Sequence, residues 1–182
     1  MELGATPPER VDVVLAQAEI PVAAITAAAA VARERGARFV LNLAPPVALP
    51  LEGLGLDTLL VNQHEAAAIA AGNSPEALAG VLADRLGARV VVTLGADGVM
   101  VGGDGPVRRL AAYPPVRVVD TTGAGDAFAG AFAAALADGE GIDGAVRFGA
   151  AAGSLTVAAA GAQGAVDTTA EALRAIIRAT AP

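Results

Sequence analysis

The stretch Val118-Val-Asp-Thr-Thr-Gly-Ala-Gly-Asp-Ala-Phe-Ala-Gly130 constrains the possible folds more than any other part of the chain. Two apolar residues, read as the tail of a strand, run into Asp120, Thr121 and Thr122. A glycine-bracketed turn follows, and Asp126 then falls in the first turn of a helix. The helix is marked by Phe128, Phe132 and Leu136, which recur every four residues and so share one buried face. Gly123 and Gly125 let the backbone turn tightly and approach a ligand with no side chain between. Such a junction aims free N–H groups and the positive end of the helix dipole at one point, which makes an anion site. A carboxylate at the edge of a phosphate site serves as a base; otherwise Asp126 only offsets the dipole, worth roughly 0.3–1 kcal/mol. Asp120 has a plain reading too, as a cap on the turn at Thr122.

Upstream, strand and helix alternate. Val11–Ala16 reads as a strand, and Ala-rich Val22–Arg35 as a helix with Pro21 near its start and Gly36 at its end. Arg38–Leu43 and Thr58–Val61 are strands, and Glu65–Ala71 is a short helix closed by Gly72. Ser74 caps a helix that begins at Pro75 and runs to Leu86. Arg89–Leu94 is an unbroken apolar, β-branched run, the mark of a strand covered on both faces. Gly98–Val101 and Val107–Ala111 form a hairpin, and helices are expected over 126–137, 142–158 and 169–179. The class is therefore α/β with a largely parallel sheet. With 182 residues, 54 % of them hydrophobic, the chain fills one core, and no composition shift divides it.

What is missing from the chain excludes several chemistries. All 12 basic residues are arginine, so there is no P-loop or Schiff-base lysine. His64 is the one histidine and Ser74 and Ser154 the only serines, which leaves no material for a Ser-His-Asp triad. Cysteine is absent, which removes disulfides and thiolate metal sites. A net charge of −7 and no basic stripe argue against nucleic acid. The uncharged run Phe148–Val166 is mostly Ala and Gly, and reads as a buried helix plus a loop, not a membrane span. The first residues lack the basic and apolar regions of a signal peptide, so a cytoplasmic location is expected. Carboxylates, backbone N–H groups, Thr and Asn side chains and a bound metal remain for chemistry.

Two strand ends offer such groups. Asn62-Gln-His-Glu65 follows the strand ending at Val61. Asn and Glu three apart there either hold a phosphate-bound Mg²⁺ through water or form a capping box. In Thr93-Leu-Gly-Ala-Asp-Gly98 the glycines let a nucleotide lie on the backbone, or merely connect two strands. Every candidate lies at a strand end, as in open α/β sheets.

Taken together, the motifs resemble the ribokinase-like carbohydrate kinases, the PfkB family. Asp120–Gly130 is similar to that family's C-terminal signature. Asn62-x-x-Glu65 and Thr93–Gly98 resemble its two other nucleotide-side motifs, in the same order. Gln17-Ala-Glu-Ile-Pro21, Leu41-Asn-Leu-Ala-Pro45 and Gly161-Ala-Gln163 are similar to the ribokinase branch in particular. The resemblance runs from about Val11 to Ala179. It implies a three-layer α/β/α fold and ATP-dependent phosphorylation of D-ribose, or a close sugar, at its primary hydroxyl. Asp126 would be the base and Gly123, Ala124 and Gly125 the anion hole. Asn62, Thr93, Leu94, Gly95, Ala96, Asp97, Gly98, Gly125 and Ala150 would line the nucleotide, and Glu19 would touch the sugar. Glu65 would be linked to Mg²⁺. Asp120, Thr122, Thr156, Ala159, Gly161 and Ala165 would surround a monovalent cation, usually K⁺. Ala165 stands where ribokinases often carry a serine ligand, and Ala150 replaces a polar residue that can face the adenine.

A complete family member is longer. Its N-terminal half carries the first strands, a β-lid, a Gly-Gly motif and most sugar contacts, and the resemblance places this chain in the C-terminal half. The expectation is a truncated fold that is poorly active alone and associates through an open sheet edge, as a homo-oligomer or with a separate half. Alternatives are a family kinase for fructose, a sugar acid or a nucleoside, or a nucleotide-binding, oligomerising fragment without turnover.

Overall fold

The computed structural model describes residues 10–115, 117–162 and 168–180. Six strands form one sheet in sequential order: β1 (Val13–Gln17), β2 (Arg38–Asn42), β3 (Thr58–Asn62), β4 (Arg89–Thr93), β5 (Val99–Gly102) and β6 (Arg108–Leu110). The first four are parallel, and β5 and β6 add an antiparallel hairpin beyond β4. Helices α1 (Val22–Arg35), α2 (Gln63–Ile69) and α3 (Pro75–Leu86) cover one face, and α4 (Ala124–Ala137), α5 (Ile142–Thr156) and α6 (Ala170–Ala179) the other.

Strand periodicity assigns each apolar residue to a layer. Phe39, Leu41, Leu59, Val61, Val90 and Val92 pack with Ile25, Leu78 and Leu82 beneath α1–α3. Their neighbours Val40, Leu60 and Val91 point the other way, into Phe128, Phe132, Val146 and Leu173 of α4–α6. All of these are buried, which is why the strands read as continuous apolar runs instead of alternating ones. The expected three-layer α/β/α architecture is the one found. The helix bounds at Val22–Arg35 and Pro75–Leu86 agree with the sequence because their ends carry strong local signals. Gly36 and Gly87 take left-handed conformations at the C-caps, with φ of 65° and 59°. Ser74 Oγ accepts from the Ala77 N–H at 3.2 Å.

Two expectations fail. Val118 and Val119 are not a strand tail: they lie outside the sheet, 62 % and 43 % exposed. The Val119 N–H donates instead to the Val157 carbonyl just past α5, at 2.7 Å. The short helix after β3 begins at Gln63, because Asn62 caps it, and stops at Ile69 with Ala70 extended. Gly72 does not close it; a Cβ there would lie 2.9 Å from the Leu78 side chain, so its small size serves packing on α3. No helix among the described residues is long and apolar enough to cross a membrane.

The α4–α5 contact sets the position of the opening motif. Gly149 of α5 lies so close to Phe128 that a Cβ would come within 2.9 Å of both its ring and its carbonyl. One turn on, a Cβ at Gly153 would sit 3.3 Å from the Ala124 carbonyl. Phe128 and Phe132 stack at 6.1 Å and anchor α4 to the sheet. The N-terminus of α4 is thereby held beside the C-terminus of α5.

Candidate active site

Because β1–β4 are parallel, Gln17, Asn42, Asn62 and Thr93 end at one edge of the sheet, in register as Gln17 with Asn42 and Asn62 with Thr93. The turn that reverses the chain into antiparallel β5 lies at the same edge. Its Gly95–Asp97 segment is a single 3₁₀ turn, with Gly95 at φ 60° and Gly98 at φ 93°. A Cβ on Gly98 would lie 2.2 Å from the Leu110 carbonyl, so only glycine fits there. Arg109 donates from Nε (2.8 Å) and Nη2 to the Asp97 carbonyl, tying the turn to β6. Thr93 Oγ1 lies 3.5 Å from the Val61 carbonyl, at the limit of a hydrogen bond.

Asp126 reaches this edge from the opposite layer. It occupies the third position of α4, is exposed, and its Oδ1 accepts a hydrogen bond from Gln17 Nε2 at 3.0 Å. Gly123 caps α4 at φ 78°, and a Cβ there would lie 2.5 Å from the Ala162 carbonyl. Gly125 differs. Its φ is ordinary, and a Cβ would meet nothing within 4 Å. The protein's own packing thus requires glycine at 123 but leaves open space at 125, next to first-turn N–H groups that lack intrahelical acceptors.

Behind the turn, the Asp120 carboxylate draws two segments together. Oδ1 accepts from the Thr122 N–H (2.9 Å) and Oγ1 (2.7 Å), and Oδ2 from the Gly161 N–H (2.9 Å). These bonds, the Thr122 N–H foremost, hold its carboxyl below the usual range. The turn-cap reading of Asp120 is realised. Thr156 is buried, with Oγ1 on the Ala152 carbonyl at 3.0 Å, and its carbonyl accepts from the Ala159 N–H at 3.2 Å. Val157 and Gly161 therefore lie against Val119 and Asp120. Ala165 lies outside the described residues.

Asn62 and Glu65 form the capping box. Asn62 Oδ1 accepts from the Glu65 N–H at 2.9 Å, and Glu65 Oε2 accepts from the Asn62 N–H at 2.6 Å. Burial pushes the Glu65 carboxyl up, outweighing the Asn62 hydrogen bond that lowers it. Among the described residues no group of three or more His, Cys, Asp or Glu could hold a metal. Glu19 is exposed just past the end of β1, and Ala150 lies on α5 one turn before Gly153.

The edge is open. A cavity of about 490 Å³ lies among Arg10, Asp12, Arg38 and Leu136, by the start of β1, and one of about 300 Å³ lies between α4, α5 and α6. Neither includes Asp126, Asn62 or Gly95. Nothing in the sequence marked Gln17 as a site residue or foretold the contact between Ala162 and Gly123, whereas Gly161 was expected beside Asp120.

Comparison with known proteins places the chain in a family. The model of the pfkB family of carbohydrate kinases matches residues 8–169. The chain is 38 % identical over 168 residues to the ribokinase of Haemophilus influenzae, covering 89 % of this chain and 55 % of that protein. Ribokinase from Thermotoga maritima superposes with a TM-score of 0.80 at 30 % identity, over 92 % of this chain and 57 % of that one. Arabidopsis thaliana ribokinase complexed with ribose and ATP gives 0.80 at 29 % identity, over 91 % and 55 %. The chain thus spans about half the length of these relatives. Its match to the family model takes in the capped strand end at Asn62, the glycine turn after β4 and the Asp120–Gly130 junction, and the chain belongs to the pfkB family of carbohydrate kinases, on its ribokinase-like side.

Proposed function

We propose that this chain provides the nucleotide side and the base for ATP-dependent phosphorylation of D-ribose, or a close sugar, at its primary hydroxyl. The observation that carries the reading is the N-terminus of α4, where Asp126 is bonded to the end of β1 beside open space at Gly125. Asp126 accepts the proton of the hydroxyl as its oxygen attacks the terminal phosphorus of ATP. The N–H groups at the N-terminal end of α4, at Gly123, Ala124 and Gly125, stabilise charge on the transferred phosphoryl group. Thr93 to Gly98 carries the nucleotide on its backbone, with Asn62 and Ala150 alongside, and Glu19 meets the sugar. Mg²⁺ near Glu65 and K⁺ near Asp120, Thr122, Thr156, Ala159, Gly161 and Ala165 would neutralise phosphate charge. With no lysine in the chain, main-chain N–H groups and cations carry that task. A cytoplasmic setting accompanies this reading, because ATP is the donor.

The open edge leaves the phosphoryl group exposed to water, so transfer by this chain alone is slow. Association goes with the same reading. β1 is an edge strand with Leu15 39 % exposed, and Ile20 and Val22 follow it at 42 % and 41 %. A second copy, or a separate N-terminal half, would cover this side.

The test is a panel of ribose, fructose, a sugar acid and a nucleoside with Mg·ATP and K⁺, given to the chain alone and with a separately expressed N-terminal half of a ribokinase. ADP formation that depends on ribose supports the reading, and preference for another acceptor reassigns the substrate. ATP binding with no transfer to any acceptor, even with the added half, overturns the enzyme reading.

A further inference from the structure

The Gln17–Asp126 hydrogen bond joins residues 109 positions apart and spans two layers of the fold. Gln17 is the last residue of β1, in register with Asn42 of β2, so its backbone is fixed by the sheet. Strand alternation puts it on the face of Val13, which packs into the α4–α6 layer. The side chain is thus directed at the start of α4 by the strand itself. Its partner is a carboxylate, which only accepts, so the amide nitrogen must face it.

The consequence for Asp126 follows from its place on the helix. A carboxylate in the first turn is drawn to the free N–H groups of that turn. If Asp126 folded back onto them, it would occupy the groups an anion needs and bury its own basic oxygen. A donor from β1 pulls the carboxylate outward, and a neutral amide does so without the positive charge that would weaken a base. We propose that Gln17 is a positioning residue for Asp126, holding Oδ1 so that the carboxylate stays clear of the α4 N–H groups and Oδ2 is left to take the proton. This rests on reading Asp126 as the base, but the geometric part can be tested without turnover.

The experiment uses the isotopically labelled chain and reads the Asp126 side-chain rotamer from three-bond couplings, in wild type, Gln17→Leu and Gln17→Glu. Gln17→Glu has the same shape but repels instead of donating, so a purely packing role would leave it like wild type. One rotamer in wild type and averaging, or a different rotamer, in both variants is expected. The wild-type rotamer retained in both variants overturns the proposal. In the assay with an added N-terminal half, both variants should lower kcat by about 10- to 100-fold, in line with a misplaced reacting group, with the KM for ATP changed by less than about twofold. Unchanged kcat in both, where Asp126→Asn abolishes transfer, also overturns it. If instead Asp126→Asn leaves transfer intact, the base reading fails and the rotamer result still decides whether Gln17 positions the carboxylate.

Discussion

Gly123 and Gly125 lie two residues apart in one motif, yet the structure gives them opposite reasons to be glycine, and alanine substitution separates the two. At Gly123, φ is 78° and a Cβ would lie 2.5 Å from the Ala162 carbonyl oxygen and 2.8 Å from its Cα. The left-handed conformation costs an alanine about 1–2 kcal/mol, and forcing a methyl into a filled space typically costs about 1–3 kcal/mol. The neighbouring segment gives no inexpensive relief, because Gly161 beside Ala162 is bonded to Asp120. Gly123→Ala should therefore lose about 2–5 kcal/mol in total. For a chain of this size each kcal/mol lowers Tm by about 2–4 °C. At Gly125 the φ is ordinary and the space open, so alanine should be neutral or gain up to about 1 kcal/mol through helix propensity. Its methyl would stand where we place the phosphate, and ATP affinity should fall at least about tenfold, or 1.4 kcal/mol. Urea denaturation and calorimetric titration with Mg·ATP measure the two effects. A Gly123→Ala variant as stable as wild type would refute the packing argument. A Gly125→Ala variant that binds ATP normally would refute the anion cradle.

Two carboxylates make further predictions through pH. Burial raises the Glu65 pKa, so the proton stabilises the folded state fully below the ordinary value of 4.5, and that contribution is lost as pH rises through the raised one. Glu65→Gln keeps the capping box and removes the buried charge; its stability at pH 7, by denaturation, should equal or exceed wild type, and a clear loss would contradict this. Asp120 has the opposite sign: its lowered pKa contributes stability above the ordinary 3.8 that disappears as pH falls through the lowered value. Asp120→Asn should be less stable than wild type at neutral pH, with the gap closing in acid-unfolding curves; a constant gap would exclude linkage to that carboxylate.

The layers were legible in the sequence because local signals and burial pattern agree there. The unbroken Val90-Val-Val92 run, the Ser74-Pro75 start and the glycine stop at 36 each carry a physical reason to be where they are. The capping box at Asn62 and the turn cap at Asp120 were legible for the same reason, since both are bonds between near neighbours. Val118 and Val119 misled because their apolar, β-branched character favours a strand, but β6 ends the ladder and leaves them no partner within the sheet. Gln17 was hidden for the opposite reason. Its bond depends on how β1 and α4 meet in space, and no spacing within the chain encodes a contact over 109 residues.

Asp126, as proposed, serves as the base of a phosphoryl transfer and does more than offset the α4 dipole. The most direct test of that claim is Asp126→Asn in the assay with an added N-terminal half, following ribose-dependent transfer from ATP. General-base catalysis contributes about 10²–10⁴-fold, so kcat should fall by that much with ATP affinity changed by no more than about twofold. An unchanged kcat would contradict the claim and leave Asp126 a helix-capping acid.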